Sequence, residues 1–426
     1  MDILIKNGHI IDPDTKRNEV CDLLISDGKI AALGKDLQAE GAYIIDAANF
    51  CVMPGFIDLH VHLREPGFTH KETIKTGAMA AAHGGFTTIV AMPNTKPSVD
   101  CAKIVREIYD KAKEQAPIHV LQAGAITKEQ AGEVLSDIED MVKAGIPAIS
   151  EDGKSVMNAH IYKEAMKIAA KNNIPILAHC EDIDMVNGGY VNEDEHTKAM
   201  GLKGISNSVE DVIVARDIML ANDAKAHLHL CHCSTKGSME MLREAKKRGL
   251  MVSGEVCPHH FILTTEDIVD NDANYKMNPP LRTREDVEAL KLGLKENIFD
   301  VISTDHAPHT KEEKEKGLKD APFGIVGLET ALPLTVTKLV KEGVLSLMQM
   351  AEKMSYNPAK ILGIDKGSLA EGKVADIVIF DMETPYKIDK NTFLSKGKNT
   401  PFDGWEVYGK TKVTICNGKI VWEDAQ

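Results

Sequence analysis

Pro54-Gly55-Phe56-Ile57-Asp58-Leu59-His60-Val61-His62-Leu63-Arg64 is an apolar run that turns polar at its far end. In an extended strand successive side chains alternate between faces. His60, His62 and Arg64 therefore share one face, and Leu59, Val61 and Leu63 the other. Two imidazoles so spaced sit about 7 Å apart at Cβ, near enough for both rings to tilt onto one cation. The guanidinium next along that face offers a planar fork for a carboxylate beside the cation. A lone His-x-His pair also fits ordinary half-buried histidines, so the reading depends on what the rest of the chain brings to the same place.

Seven further short apolar segments follow, at 88–92, 119–123, 148–151, 176–179, 227–232, 252–256 and 301–304, after the first at 56–62. The stretches between them alternate with helical periodicity, first at 71–83, then at 101–115 and 129–143. Eight strands each followed by a helix predict a closed parallel (β/α)8 barrel. A doubly wound sheet would use fewer strands and a Gly-rich phosphate turn, and the sequence has no such turn. Both ends of the chain read differently. Asn7-Gly8, Asp27-Gly28 and Asn417-Gly418 each sit between β-rich runs and predict two-residue hairpin turns, with a further strand at 375–380. Lone hairpins are marginal, so residues 1–54 and 366–426 are expected to form one discontinuous β-sandwich domain, leaving 55–365 to the barrel. A chain of 426 residues suits a barrel of about 250 residues with an accessory domain.

Composition narrows the function. Sixty-four acidic against 50 basic side chains give a net charge of −14, which argues against nucleic acid or an anionic membrane as partner. No apolar stretch approaches the roughly 18 residues of a membrane helix. The start, Met1 to Gly8, lacks the basic head and apolar core of a signal peptide. Eight cysteines without framework spacing read as reduced thiols, so a cytoplasmic protein is expected. In Cys231-His232-Cys233 the two thiols read as small apolar fillers around a useful histidine.

Catalytic groups in such barrels sit where the strands end. Those ends supply His60, His62, Asp152, His179, His232 and Asp305, four imidazoles and two carboxylates converging on one mouth. That donor set suits zinc, with iron or manganese open. Six ligands exceed one tetrahedral site, and a carboxylate bridging two metals would use them all. Asp305 could also take a proton from water and return it to a leaving nitrogen. Arg64 and His309 can face a substrate carboxylate, making the mouth locally positive, while Asn94 and Asn278 add amide hydrogen bonds. Consecutive prolines stiffen Asn278-Pro279-Pro280-Leu281-Arg282. The mixed-charge stretch 311–320 reads as a solvated segment placed where a lid could be. His227 and His229 alternate away from His232 and, like His259 and His260, read as structural or solvated.

With these motifs in view, the chain resembles the amidohydrolase superfamily, and within it the class I dihydroorotases, over essentially its whole length. Pro-Gly-Phe-Ile-Asp-Leu-His-Val-His-Leu-Arg-Glu-Pro-Gly (54–67) together with Asp-His-Ala-Pro-His (305–309) carries the likeness, sharpened by Met-Pro-Asn-Thr (92–95) and Asn-Pro-Pro-Leu-Arg (278–282). The resemblance implies that His60, His62, His179, His232 and Asp305 are metal ligands, with Asp152 bridging. It implies that Arg64, Asn94 and His309 hold the substrate carboxylate, and that Asn278 meets the ring. The implied reaction is reversible closure of N-carbamoyl-L-aspartate to (S)-dihydroorotate in pyrimidine synthesis, with one or two Zn2+ per subunit. Hydantoinases and many other dihydroorotases carry a carboxylated lysine on strand four; residues 145–152 contain none, and Lys154 lies just beyond. A hydantoinase or allantoinase, or a silent scaffold for aspartate carbamoyltransferase, is the competing expectation. A homodimer is expected by resemblance.

Overall fold

The computed structural model describes residues 2–424. All eight core segments form strands, nine in all because the 119–123 segment breaks at Ala123 and resumes at Gly124–Ala125, and all pair in parallel. Phe56–Val61, Phe86–Ala91 and His119–Gln122 make one sheet. Gly124–Ala125, Ile149–Ser150, Ile176–Ala178, Leu228–Leu230, Val252–Val256 and Val301–Ile302 make a second, in that order. Every residue of Phe56–Val61, Phe86–Ala91 and Val252–Val256 is buried, as strands covered on both faces require.

Several contacts link the two sheets. Ala123 lies between them and donates its N–H to Ala91 O at 3.0 Å. On the far side Val61 bridges His306, and His62 N donates to His306 O at 2.8 Å. The buried Asp58 carboxyl accepts from Thr304 N at 3.2 Å and from His60 N at 2.9 Å, tying the first strand to the last.

The first two predicted helices form at Ile74–His83 and Ala102–Gln115; Thr73 and Thr76 build a capping box at the start of the first. The third is much shorter than predicted. Residues 128–130 make a single 3-10 turn, and the α-helix spans only Ile138–Lys143. Glu151 causes the difference: its buried carboxylate accepts from Ile126 N and Thr127 N at 3.1 and 3.0 Å. The chain then folds back with Glu129, Gln130 and Gly132 at positive φ.

The two ends of the chain share one eight-stranded sheet, in which Cys51–Pro54 pairs antiparallel with Ile377–Asp381 and parallel with Ile3–Asp12. Asp27-Gly28 and Asn417-Gly418 turn with positive φ, as their hairpins need. Asn7-Gly8 does not turn. Ile3–Asp12 runs straight through it as one strand, and the positive φ of Asn7 (61°) serves a bulge against Arg17–Ser26. Asp22 accepts the Asn7 N–H at 2.9 Å, and a Cβ at Gly8 would come within 2.6 Å of Val52. All eight cysteines are free thiols, seven of them buried. Among the described residues no helix is long and apolar enough to cross a membrane.

Candidate metal centre and substrate pocket

The strand ends open on a cavity of about 170 Å³. Of the ten residues singled out from the sequence, His62, Arg64, Asn94, Asp152, His179, His232, Asn278 and Asp305 line it. His60 stands directly behind, fully buried, and His309 lies outside the lining. Three site residues have left-handed backbone, Arg64 at φ 58°, His232 at 34° and Asp305 at 48°. Such conformations cost roughly 1–3 kcal/mol each and cluster where function dictates side-chain direction. Arg64 therefore reaches the pocket from a turn after the strand, not by continuing the pleat. The same break at His232 undoes the alternation expected for its strand. His229 points inward beneath the site, bonded to Glu255 at 3.0 Å, while His227 bonds Ser253 at 2.9 Å on the half-buried side.

The inner nitrogens converge. His60 Nε2 is 3.1 Å from Asp152 Oδ1 and 3.6 Å from Asp305 Oδ1, and His62 Nε2 is 3.1 Å from the same Asp305 oxygen. His179 Nδ1 lies 3.0 Å from His232 Nε2 and 3.6 Å from Asp152 Oδ1. The outer nitrogens fix which atoms face inward. His62 Nδ1–H donates to Asn94 Oδ1 at 3.0 Å, and Asn94 Nδ2 donates to Asp152 Oδ2 at 3.0 Å. His179 Nε2–H donates to Glu181 at 2.9 Å. His62 Nε2 and His179 Nδ1 are left as lone pairs aimed at other acceptors, an arrangement that calls for a cation between them. Among the described residues His60, with no accessible surface, makes no well-directed hydrogen bond from either nitrogen despite the carboxylates beside it, and His232 Nδ1 makes none. Donor atoms of His60, His62 and Asp305, and of His60, Asp152 and His232, form two overlapping groups within 4.8 Å. Mixed imidazole and carboxylate donors of this kind fit a divalent metal.

Burial opposes ionisation of both carboxylates, yet the surrounding imidazoles dominate. His60, His232 and His62 hold Asp152 well below the usual carboxylate range, and His62, His60 and His232 do the same for Asp305. His309 goes the other way. Burial, then Arg64, Lys71 and Lys314, push its pKa down to about 2, so it is neutral and adds no charge to the mouth. The positive side of the pocket is Arg64, with Lys71 behind it. Lys154 turns away, its Nζ donating to Gln130 O at 2.8 Å. The 311–320 segment is two short helices pinned inward by Lys314 and by Lys71–Glu313 at 2.8 Å.

The strand-end pattern did not reveal Glu181 or Glu255. Glu255 is fully buried 3.4 Å from His60 Nδ1. Its signal is a lone charge inside the otherwise uncharged Val252–Val256 strand. His259 and His260 are buried, and His260 Nε2 donates to Pro279 O at 2.8 Å, bracing the proline loop beside Asn278.

A family model described as Dihydro-orotase-like matches residues 50–238, and one described as Amidohydrolase family matches 320–422. Among curated proteins, the dihydroorotase of Bacillus cereus is 48% identical over 423 residues, covering 99% of both chains. That of Bacillus cytotoxicus is 49% identical with the same coverage. Among solved structures, the L-hydantoinase (dihydropyrimidinase) of Arthrobacter aurescens superposes with a TM-score of 0.89 at 29% identity, covering 100% of this chain and 97% of that one. The dihydropyrimidinase of Brevibacillus agri gives 0.88 at 26% identity, with 100% and 96% covered. Identity approaching one residue in two, sustained from end to end, places this chain in the dihydroorotase family of the amidohydrolases.

Proposed function

We propose that the protein is a zinc-dependent dihydroorotase, closing N-carbamoyl-L-aspartate to (S)-dihydroorotate and running the reverse hydrolysis. The observation that carries this reading is Arg64 lining the same small cavity as the His62–Asp152–His179–His232–Asp305 cluster. It sets a carboxylate fork beside a metal-competent centre. His60, His62, Asp152, His179, His232 and Asp305 would hold one or two Zn2+. A bound metal would lower the pKa of water from about 16 toward 7 and polarise the carbonyl under attack.

The chain's own groups do the rest. Arg64 and Asn94 hold the ring carboxylate and Asn278 meets the ring amide; His309, expected at the carboxylate too, spends its Nε2 proton on Phe323 O and only packs beside Arg64. Asp305, kept ionised, takes a proton from the attacking water and returns it to the leaving nitrogen. The water oxygen bonds to C4, the C4–N3 bond breaks, and the open carbamoyl chain results; cyclisation reverses each step.

The architecture belongs to the same proposal. The Ala123 and Val61–His306 links and the Asp58–Thr304 tie support a closed eight-stranded barrel over 55–365. The shared terminal sheet supports a β-sandwich domain from 1–54 and 366–426. A cytoplasmic homodimer able to bind aspartate carbamoyltransferase completes the picture, and light scattering with and without that enzyme tests it.

Turnover of L-dihydroorotate, hydantoin and allantoin by zinc-loaded wild type and Arg64→Ala tests the activity. Dihydroorotate alone should turn over, with kcat/KM falling by about a hundredfold or more in the variant, because a half-buried charged partner is lost. Preference for hydantoin, indifferent to Arg64, would replace this reading with a hydantoinase. Absence of turnover on all three would leave the scaffold.

A further inference from the structure

Glu181 lies two residues beyond His179, behind the cavity wall, and is 8% exposed. Its two carboxylate oxygens serve different parts of the site. One accepts His179 Nε2–H at 2.9 Å, and the other accepts Asn278 Nδ2–H at 3.0 Å. The backbone here is fixed as well. Ser155 Oγ accepts Glu181 N–H at 3.1 Å while donating to His179 O at 2.9 Å, so one hydroxyl clasps the chain on both sides of Cys180. We infer that Glu181 is a positioning residue that joins the metal ligand His179 to the substrate-facing Asn278, so that metal affinity and substrate affinity are coupled through one carboxylate. This rests on the dihydroorotase reading of the site.

The physical reason lies in the two partners. By taking the Nε2 proton, Glu181 fixes the His179 tautomer and leaves Nδ1 as the lone pair facing His232 and Asp152. By taking an amide proton of Asn278, it also sets that side chain's rotation, and with it which polar atom the pocket receives. A shift of Asn278 on substrate binding must pass to the imidazole, because the two share a single planar group between them. A carboxylate can accept from both neighbours. A glutamine cannot, since its amide nitrogen would confront one of the two donors.

The test is a Zn2+ dissociation constant, by chelator competition, for wild type, Glu181→Gln, Glu181→Ala and Asn278→Ala, each with and without saturating dihydroorotate. Thermal melting of the metal-free proteins runs alongside. Both Glu181 variants should bind Zn2+ about 10- to 100-fold more weakly while melting close to wild type. Asn278→Ala should keep wild-type Zn2+ affinity without ligand but raise KM. Dihydroorotate should tighten Zn2+ binding in wild type and lose that effect in every variant. Unchanged Zn2+ affinity in the Glu181 variants would overturn the inference, as would metal-free melting that collapses in both, since the role would then be structural. A wild type that binds Zn2+ but neither binds nor hydrolyses dihydroorotate would sink the activity instead; weaker Zn2+ binding in the Glu181 variants would still uphold the His179 half of the inference.

Discussion

His309 donates from Nε2 to Phe323 O at 2.8 Å, and Lys71 Nζ sits 3.4 Å from its Nδ1. With its pKa near 2, this imidazole stays uncharged through the physiological range. Proton NMR of the ring should show no titration between pH 5 and 8, and the pH profile of kcat/KM should carry no inflection from it. A ring titrating near pH 6 would mean that the mouth gains a second cation. The ligand-type residues were legible in the sequence because each closes a strand, and strand ends meet in this architecture. The charge state of His309 was not, because Lys71 and Lys314, which suppress it, come from remote segments. Glu181 was hidden for a related reason: its partners are a histidine two residues away and an asparagine nearly a hundred away, and no spacing announces such a bridge.

Between the last parallel strand and the helix at Ala331–Thr335, the segment containing Lys314 closes one side of the pocket. Lys314 Nζ donates to Gly324 O at 2.9 Å, Pro322 O at 3.1 Å and Lys276 O at 3.3 Å. One buried amino group, its pKa pushed down to about 7 by burial, thus holds together the loop bearing Phe323 and Gly324 and the loop that leads to Asn278. Lys314→Met keeps the stem but leaves the part-buried Pro322 O without its donor, at a cost of about 1–3 kcal/mol, while Gly324 O keeps Asn399 Nδ2 at 3.0 Å and Lys276 O keeps Gly324 N–H at 3.0 Å. We expect melting to fall by about 1–3 °C, KM to rise more than kcat falls, and limited proteolysis to cut within 311–320. A variant that melts and resists protease like wild type would show the segment to be held by other means. Composition described this stretch only as mixed charge. Which of its four lysines turns inward depends on where carbonyls stand, and those belong to other loops. The missing two turns of the third helix have the same origin: its periodicity was real, but a buried Glu151 claims the backbone first.

At the scale of the molecule, burial of two histidines contributes to acid lability. His227 and His259 are held down to about 4, mainly by desolvation. As pH falls from about 6.5 toward 4, the unfolded chain takes up protons that the folded chain refuses, so stability declines. Melting temperature should drop across that window, and His227→Gln should make the drop shallower; an unchanged slope would place the acid lability elsewhere. The alternation of strands and helices was legible because each buried strand is apolar along its length. The terminal hairpins were legible from their Asx-Gly pairs, except where Asp22 drew Asn7-Gly8 into a bulge. The shared terminal sheet also constrains how the chain can be made. Cys51–Pro54 has as its antiparallel neighbour a strand about 320 residues further on, which at about 5–20 residues per second leaves the ribosome roughly 15 to 60 s later. Throughout that interval the nascent amino-terminal strands present an open β edge, a surface that invites pairing with other chains. Synthesis of this protein is thus a race between elongation and aggregation, and slow codons or stalling before residue 377 would tilt it toward the latter.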